Sequence, residues 1–306
     1  MEYPQMEAGD TMAFDITKIQ DGNRICGLAS VNTGEDVMLT KEIAGRVGGS
    51  FVYWLSQNVQ KNPTMLKICV GCDPRLSGEV LKEGVLEAIS LWGAEGCDVG
   101  YATSDAMHMA VTAPQYEFDG AVLVTGGELP GDMNGFRFFT AEDEPDSEDI
   151  AEILRLAAKY NFIGGTYDEN KDNLMAVYAA MLRQKLSMGL RNVPGLFGTM
   201  HFIIDAGNGT GGFFATDVLE KLGADISGSC NLEPDGHFPA HSPDPEDETA
   251  VEEMKKLVKE EGADLGLILS ADAGRLAAIT SDDIIFADGG KAVNIVVDAV
   301  IRKADK

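Results

Sequence analysis

The chain has the sequence VTGGELP at residues 124–130 and NGFRFF at residues 134–139. The apolar run that ends at Val124 predicts a buried strand, and the aromatic run after the loop predicts a returning strand. Two adjacent glycines, Gly126 and Gly127, lie at the tip, and glycine tolerates backbone conformations that other residues avoid. Phosphoryl-transfer enzymes place a nucleophile on loops of this kind, but glycine has no nucleophilic atom. The segment therefore predicts the frame of an active site without its reactive centre.

Strand and helix patterns alternate around this loop. In the first part of the chain, strands are predicted at 66–71, near Val99 and at 121–124, and helices at 79–92, 106–111, 150–160 and 173–186. The acidic run 142–149 predicts a helix start capped by Ser147, because carboxylates are favourable at a helix N-terminus. This alternation predicts parallel strands covered by helices.

A second α/β unit is predicted after the sequence NVPG at 192–195, where proline and glycine indicate a boundary. Predicted strands at 202–205, 225–229 and 265–269 alternate with predicted helices at 211–222, 249–261 and 288–302. The last of these helices is so apolar that we expect another chain to cover it.

The chain carries 50 acidic and 24 basic residues among 306, a net charge of −26. This charge argues against nucleic acid or an anionic membrane as a partner, because both require a basic surface. It serves solubility or forms a docking surface for a basic protein partner. No segment is long and apolar enough to span a bilayer, and no signal peptide is visible.

Five cysteines in a chain of this length favour a reducing compartment over a disulfide framework. We therefore expect a soluble protein of the cytoplasm or plastid stroma that is not secreted. Cys69 and Cys72 have the spacing of a redox or zinc motif, but no second pair completes a metal site. We interpret them as a strand cysteine and a loop cysteine.

Seven runs in order along the chain carry a family resemblance: NRICG (23–27), LTKEIA (39–44), VGCDPRLSG (70–78), GCDVG (96–100), DAGNGTGG (205–212), EPDGHFP (233–239) and EGADLG (261–266). Together they resemble the α-D-phosphohexomutases, which include phosphoglucomutases, phosphomannomutases and phosphoglucosamine mutases. The resemblance implies two α/β domains with mixed, mainly parallel sheets between helices, over 1–194 and 195–287. Because full-length members have four domains, it also implies that 288–306 begins an incomplete third domain.

The resemblance implies a degenerate nucleophile loop. The family has a phosphoserine in the sequence TASHNP, whereas this chain has TGGELP at 125–130. Gly127 stands in place of the serine, Glu128 in place of the histidine and Leu129 in place of the asparagine. Neither Glu128 nor Thr125 is well placed to substitute as nucleophile.

The metal loop differs in the same way. The family sequence DGDADR binds magnesium through three carboxylates, whereas residues 270–275 are SADAGR. Ser270 and Gly274 replace two of the carboxylates, and only Asp272 remains. Magnesium requires charged oxygen ligands, so we expect no magnesium and no other cofactor, with Asp272 fixing its loop instead.

The basic positions of the family are partly kept. Arg75 and Arg275 match family arginines, and Arg137 matches a lysine. Cys26 and Cys72 replace basic residues, and if both line the site of the family these two cysteines are expected to meet.

Three functions are consistent with these residues. The first is a catalytically inactive relative that acts as a structural or interaction subunit with a protein partner. The others are an active mutase with displaced chemistry and a sugar-phosphate-binding module without turnover. The run 205–212 could hold an anion or pack a strand against a helix, and we interpret His237 and His241 as structural loop residues.

Overall fold

The computed structural model describes residues 15–29, 37–142, 144–161, 165–167, 173–190, 195 and 197–304. The chain divides into two compact units. The first comprises 1–102, 106–126 and 132–172, and the second comprises 103–105, 127–131 and 173–306, each within the described residues.

The first unit is built on a six-stranded sheet with the strand order β1-β2-β6-β5-β3-β4. Its strands are β1 Gln20–Asp21, β2 Arg24–Leu28, β3 Lys67–Cys72, β4 Glu95–Tyr101, β5 Gly120–Val124 and β6 Met133–Thr140. Strand β3 pairs in parallel with β4 and β5, whereas β6 pairs antiparallel with β5 and β2. Every residue of β5 is buried, which agrees with its continuous apolar sequence.

Four helices accompany this sheet: α1 Lys41–Asn58, α2 Gly78–Leu91, α3 Ser104–Thr112 and α4 Ser147–Lys159. Helix α1 begins at a capping residue, since the Thr40 hydroxyl accepts a hydrogen bond from the Ile43 N–H at 3.2 Å. Asp146 caps α4 and forms a reciprocal capping box with Asp149, so the prediction of Ser147 as the cap was wrong by one residue. The faces of α1, α2 and α4 meet the sheet in a core that includes Phe51, Val85 and Phe138.

The second unit has a four-stranded sheet with the order β10-β9-β8-β7. Its strands are β7 Phe202–Asp205, β8 Leu265–Leu269, β9 Arg275–Ile279 and β10 Ile284–Asp288, and its α-helices are α5 Leu174–Gly189, α6 Glu248–Glu261 and α7 Ala292–Ala304. Between β7 and α6 the backbone forms a 3-10 turn at Thr210–Gly212, a π-helical turn at Phe214–Leu219 and a second 3-10 turn at Glu220–Leu222. None of the helices in the described part of the chain has both the length and the apolar character needed to cross a membrane.

The predicted α/β class is confirmed, but several details differ. Among the eight described strand pairings, β3–β4, β3–β5 and β7–β8 are parallel and the other five are antiparallel, so the sheets are mixed rather than mainly parallel. Antiparallel hairpins such as β9–β10 account for the excess of antiparallel pairings. The strands of these hairpins mix apolar with polar or small residues, so their sequences give only a weak strand signal. Residues 225–229 form no strand, because only single bridges at Asp225 and Cys230 join them to the sheet. The predicted helix 211–222 is helical but not α-helical.

The predicted domain boundary at 194/195 stays a prediction, since residues 192–194 lie outside the described residues. The compact units group α5 with the second unit, whereas the sequence assigned it to the first domain. Helix α7 packs on α5, because Val297 would lie 2.9 Å from a Cβ added at Gly189. Whether 288–306 begins a further domain also stays a prediction.

Gly135 of β6 provides a test of the first unit's sheet. A Cβ at this position would lie 2.1 Å from the Ile25 carbonyl oxygen of β2. We expect Gly135→Ala to lower the free energy of unfolding by about 2 kcal/mol or more, because backbone must move to relieve the clash. Urea titration followed by tryptophan fluorescence measures this change, since Trp54 and Trp92 both lie in the first unit.

Gly27→Ala on β2 is the matched control. Its added Cβ would meet only side chains, the nearest being the Met38 Cβ at 3.3 Å. We expect a loss below about 1 kcal/mol. Equal losses in both variants would contradict the packing described for β2 and β6.

Candidate functional site

Asp73 fixes the beginning of the glycine loop in the first unit. Its carboxylate accepts hydrogen bonds from the Thr125 hydroxyl at 2.7 Å and from the Gly126 N–H at 3.3 Å. The Asp73 N–H donates to the Val124 carbonyl at 3.0 Å. The loop after β5 is therefore tied to the end of β3 before it reaches its tip.

Arg75 completes this cluster. Its Nε lies 3.0 Å from the Asp73 carboxylate, and neither side chain is exposed. Its Nη1 donates to the Met133 carbonyl at 2.8 Å. A Cβ added at Gly126 would lie 2.5 Å from the guanidinium carbon, so glycine is required for this approach. Arg75, which the resemblance placed among the site's basic residues, is held as a buried structural cation.

The loop tip, residues 127–131, is grouped with the second unit. Gly127 is buried and has a φ of +57°, in the left-handed region that favours glycine. Leu129 is half-buried. The Glu128 carboxylate lies 4.0 Å from Nη1 of Arg275, and Nη2 of Arg275 forms an ion pair with Glu246. Two carboxylates thus flank Arg275, one of the basic residues that the family resemblance places in the site.

Asp272 is enclosed by hydrogen-bond donors. Its Oδ1 accepts from the Ser270 hydroxyl at 3.0 Å and from the Gly274 N–H at 2.9 Å, and its Oδ2 accepts from the Ser104 hydroxyl at 2.6 Å. The Ser270 hydroxyl in turn accepts from the Arg275 N–H at 3.1 Å. Only 2% of Asp272 is exposed. These bonds staple the turn between β8 and β9.

The residues of this turn do not fit a magnesium ion. Both Asp272 oxygens already accept hydrogen bonds, while magnesium requires several oxygen ligands in octahedral geometry. Gly274 supplies no side-chain oxygen, and Asp272 is the one carboxylate among residues 270–275. Within the described residues, no three His, Cys, Asp or Glu side chains are grouped so that they could bind a metal.

The other predicted basic site residue, Arg137, lies on β6. Its Nη2 is 3.2 Å from both carboxylate oxygens of Glu144, and its guanidinium lies 5.4 Å from the centre of the Phe139 ring. The ion pair and the ring hold Arg137 on the first unit's own surface.

No disulfide bond joins any of the five cysteines, all of which are described residues, and Cys26 and Cys72 do not meet. The register runs from Cys72 through Val124 and Phe136 to Ile25, so three strand spacings, about 14 Å, separate the two positions. Burial, together with the negative charges of Glu79 and Asp73, raises the pKa of the Cys72 thiol far above its ordinary range, although Lys82 opposes the shift. A reactive thiolate at Cys72 is therefore disfavoured.

A buried ion pair in the second unit was missed by the sequence analysis. The Asp205 carboxylate at the end of β7 lies 3.1 Å from Nε2 of His241, and each side chain is 9% exposed. The other ring nitrogen, Nδ1, lies 2.6 Å from the Ser242 carbonyl. Because both neighbours are acceptors, the geometry fits a doubly protonated ring. His241, which the sequence analysis interpreted as a structural loop residue, thus joins its loop to the end of β7, 36 positions earlier in the chain.

Both pKa values follow from these contacts. The Asp205 hydrogen bond raises the pKa of His241, and burial only partly opposes it. Burial alone would raise the pKa of Asp205, but hydrogen bonds from His241, Asn231 and Gly207 lower it. The residues 205–212 therefore have a structural partner at their first position, and the anion-binding interpretation of this run stays untested.

Two family models match the chain, one in each half. The family model described as phosphoglucomutase/phosphomannomutase, alpha/beta/alpha domain I, matches residues 27–163, and that for domain II matches residues 176–283. The chain is 29% identical over 273 residues to a phosphoglucomutase/phosphomannomutase of Thermococcus kodakarensis, over 87% of this chain and 57% of the relative. It is 30% identical over 211 residues to a probable phosphoglucosamine mutase of Methanococcoides burtonii, over 69% of this chain and 46% of the relative.

Solved structures show the same fold. The exocytosis-sensitive phosphoprotein pp63/parafusin, a phosphoglucomutase from Paramecium in its open form, matches with a TM-score of 0.71 at 14% identity, over 92% of this chain and 55% of that one. The chain belongs to the phosphoglucomutase/phosphomannomutase family, as its sequence predicted. It spans about half the length of the curated relatives that it matches.

The Asp205–His241 pair predicts a pH-dependent stability. A raised His241 pKa contributes stability fully below the unfolded histidine pKa of about 6.5, and this contribution is lost as pH rises through the folded value. The lowered pKa of Asp205 contributes stability above the unfolded aspartate pKa of about 4, and this contribution is lost as pH falls through the folded value. The pair therefore stabilises most at mildly acidic pH.

We expect wild type to lose more stability than His241→Gln between pH 5.5 and pH 8.5, measured by urea titration followed by circular dichroism. NMR titration of the His241 ring should give a pKa that is raised in wild type and falls toward its ordinary value in Asp205→Asn. An identical His241 titration in both proteins would contradict the ion pair.

Proposed function

We propose that this chain is a catalytically inactive member of the phosphohexomutase family that acts as a structural or interaction subunit of a larger assembly. The proposal rests on Gly127, which the family resemblance aligns with the nucleophile position of the loop. Transfer through a phosphoryl-enzyme intermediate requires an oxygen or nitrogen atom there. The left-handed backbone of Gly127 maintains a tight loop and supplies no such atom.

The turn around Asp272 supports the same proposal. Phosphoryl transfer requires a cation to neutralise the charge that develops on the transferring group. Here Ser270, Gly274 and Ser104 satisfy the carboxylate that remains. A metal ion would have to break these bonds to gain a single charged ligand.

Arg275 supports it through charge. A basic side chain that binds a phosphate must offer its positive charge to the ligand. Glu246 and Glu128 lie beside Arg275, so an incoming phosphate would meet two like charges. Glu128 also occupies the position of a family histidine, which makes the loop more negative.

We expect no turnover of glucose 1-phosphate, mannose 1-phosphate or glucosamine 1-phosphate when magnesium and the bisphosphate activator are supplied. A coupled assay for the 6-phosphate product measures this. Gly127→Ser should not restore activity, because the metal ligands and the pairing of Arg275 are unchanged. The relatives named as mutases are about twice as long, and one of them provides the positive control.

Turnover of about 1 per second or faster would contradict the proposal. A matched variant, Arg275→Gln with Asp272→Asn, separates intrinsic activity from contamination. Activity of the chain itself would fall in this variant, whereas a contaminating mutase would act equally in both preparations.

The proposed interaction role rests on surface charge and exposed apolar side chains. The net charge of −26 favours a basic partner and association that weakens with salt. The edge strand β10 exposes Ile285 by 45% and Phe286 by 47%. Helix α7 exposes less apolar surface than its sequence predicted. Val296 and Val300 are buried within the second unit, while Ile301 is 44% exposed.

We expect the protein in native extract to elute in gel filtration with a partner, at a mass above its own 32.7 kDa. Raising the salt from about 50 to 500 mM should reduce the associated fraction, because screening weakens charge attraction. Replacing Ile285 and Phe286 by Thr should reduce association, and the same exchange at Met65 and Val177, exposed apolar residues elsewhere, should not. A free monomer in native extract at low salt would contradict the role.

A further inference from the structure

A cavity of about 490 Å³ lies on the second unit between the first half of α5 and the π-helical turn at Phe214–Leu219. Met175 and Ala179 of α5 and Phe213 form an apolar part of its wall. Arg183 and Lys221 are its two cationic lining residues, and Asp217 is its one anionic residue. The cavity is therefore amphipathic, with more positive than negative charge.

Arg183 is anchored at the cavity wall by one hydrogen bond. Its Nη1 donates to the Asp217 backbone carbonyl at 2.5 Å, which fixes the guanidinium between the helix and the π-helical turn. A guanidinium has five N–H donors, so one anchoring bond leaves most of them available. No ion pair joins Arg183 or Lys221 to a carboxylate of any described residue. By contrast, Lys41, Lys61 and Arg137, which are also partly exposed, each pair with one.

Phe213 gives the cavity a flat apolar surface. Its ring is half-buried and lies 5.8 Å from the ring of Tyr178, tilted by 44°. Tyr178 in turn is buried against the unit, so the Phe213 ring has a rigid support. Apolar or aromatic ligand groups stack on rings held in this way.

We propose that this cavity binds a small organic anion that has an apolar or aromatic body and one carboxylate or phosphate group. Arg183 and Lys221 bind the anionic group, and Phe213 with Met175 and Ala179 covers the body. The proposal does not depend on whether the family's catalytic loop is active, because none of the residues that line the cavity belongs to 127–131 or 270–275.

The overall charge of the protein does not prevent this binding. At physiological ionic strength the screening length is about 8 Å, so distant carboxylates contribute little at the cavity. Two cations against one carboxylate give a locally positive site. Binding should consequently become weaker at high salt, as expected for an exposed charged contact.

Phenyl phosphate is the probe for this site, titrated into the full chain by isothermal calorimetry. We expect one saturable site, and Arg183→Gln and Lys221→Gln should each weaken binding about fivefold or more, the loss of one charge-assisted contact. Lys185→Gln on the same helix is the matched control, since Lys185 is exposed and does not line the cavity. Its affinity should equal that of wild type. Inorganic phosphate and benzyl alcohol, which each lack one half of the probe, should both bind more weakly.

Circular dichroism and urea titration check that each variant is folded. Lys221 is exposed and its side chain makes no hydrogen bond to a described residue, so Lys221→Gln keeps the test valid if Arg183→Gln is unstable. Absence of saturable binding would overturn the proposal, as would equal affinity in wild type and Lys221→Gln. A loss of affinity in Arg275→Gln but not in Lys221→Gln would place the probe elsewhere and also overturn it.

Discussion

The buried pair of Asp73 and Arg75 sets the geometry of the first unit around the glycine loop. Two charges without solvent exposure are costly unless their hydrogen-bonding groups are satisfied. Here the Asp73 carboxylate also receives Thr125 and Gly126, and Arg75 reaches the Met133 carbonyl. The cluster thus joins β3, β5 and β6 at the ends where the loop leaves the sheet. Removing either partner would leave an uncompensated buried charge, a change that typically costs about 3–5 kcal/mol.

Asp272 follows the same physical rule in the second unit, but with neutral partners. A carboxylate that is almost fully buried needs partners, either a cation that its oxygens coordinate or hydroxyl and N–H groups that donate hydrogen bonds. Ser270, Ser104 and Gly274 supply the second kind. Glu128 and Arg275 show a related compensation, because the Glu128 carboxylate lies 4.0 Å from Nη1 of Arg275. The Asp272 carboxylate is satisfied by hydroxyl and N–H donors of its own turn and of Ser104.

The sequence predicted elements whose signal is local. The strand 265–269 was predicted with the observed bounds because all of its residues are apolar and buried. The strand predicted at 225–229 was wrong. Its β-branched and small residues are typical of a strand, but only single bridges at Asp225 and the adjacent Cys230 pair this segment with the sheet. The interpretation of Gly127, Ser270 and Gly274 as replacements of functional family residues stays a prediction, since the fold alone does not show which family residue each one replaces. The Asp205–His241 pair and the flanking of Arg275 could not be predicted from the sequence, because they join residues far apart whose approach depends on the folded backbone.

The left-handed backbone at Gly127 sets a conformational cost on any other residue at this position. A serine at a φ of +57° would place its Cβ against the following carbonyl, at a cost of about 1–2 kcal/mol. A side chain at this position therefore lowers stability unless the loop backbone also changes its conformation. To place a reactive atom at this position, a designer would have to rebuild the backbone of the loop as well as exchange the residue.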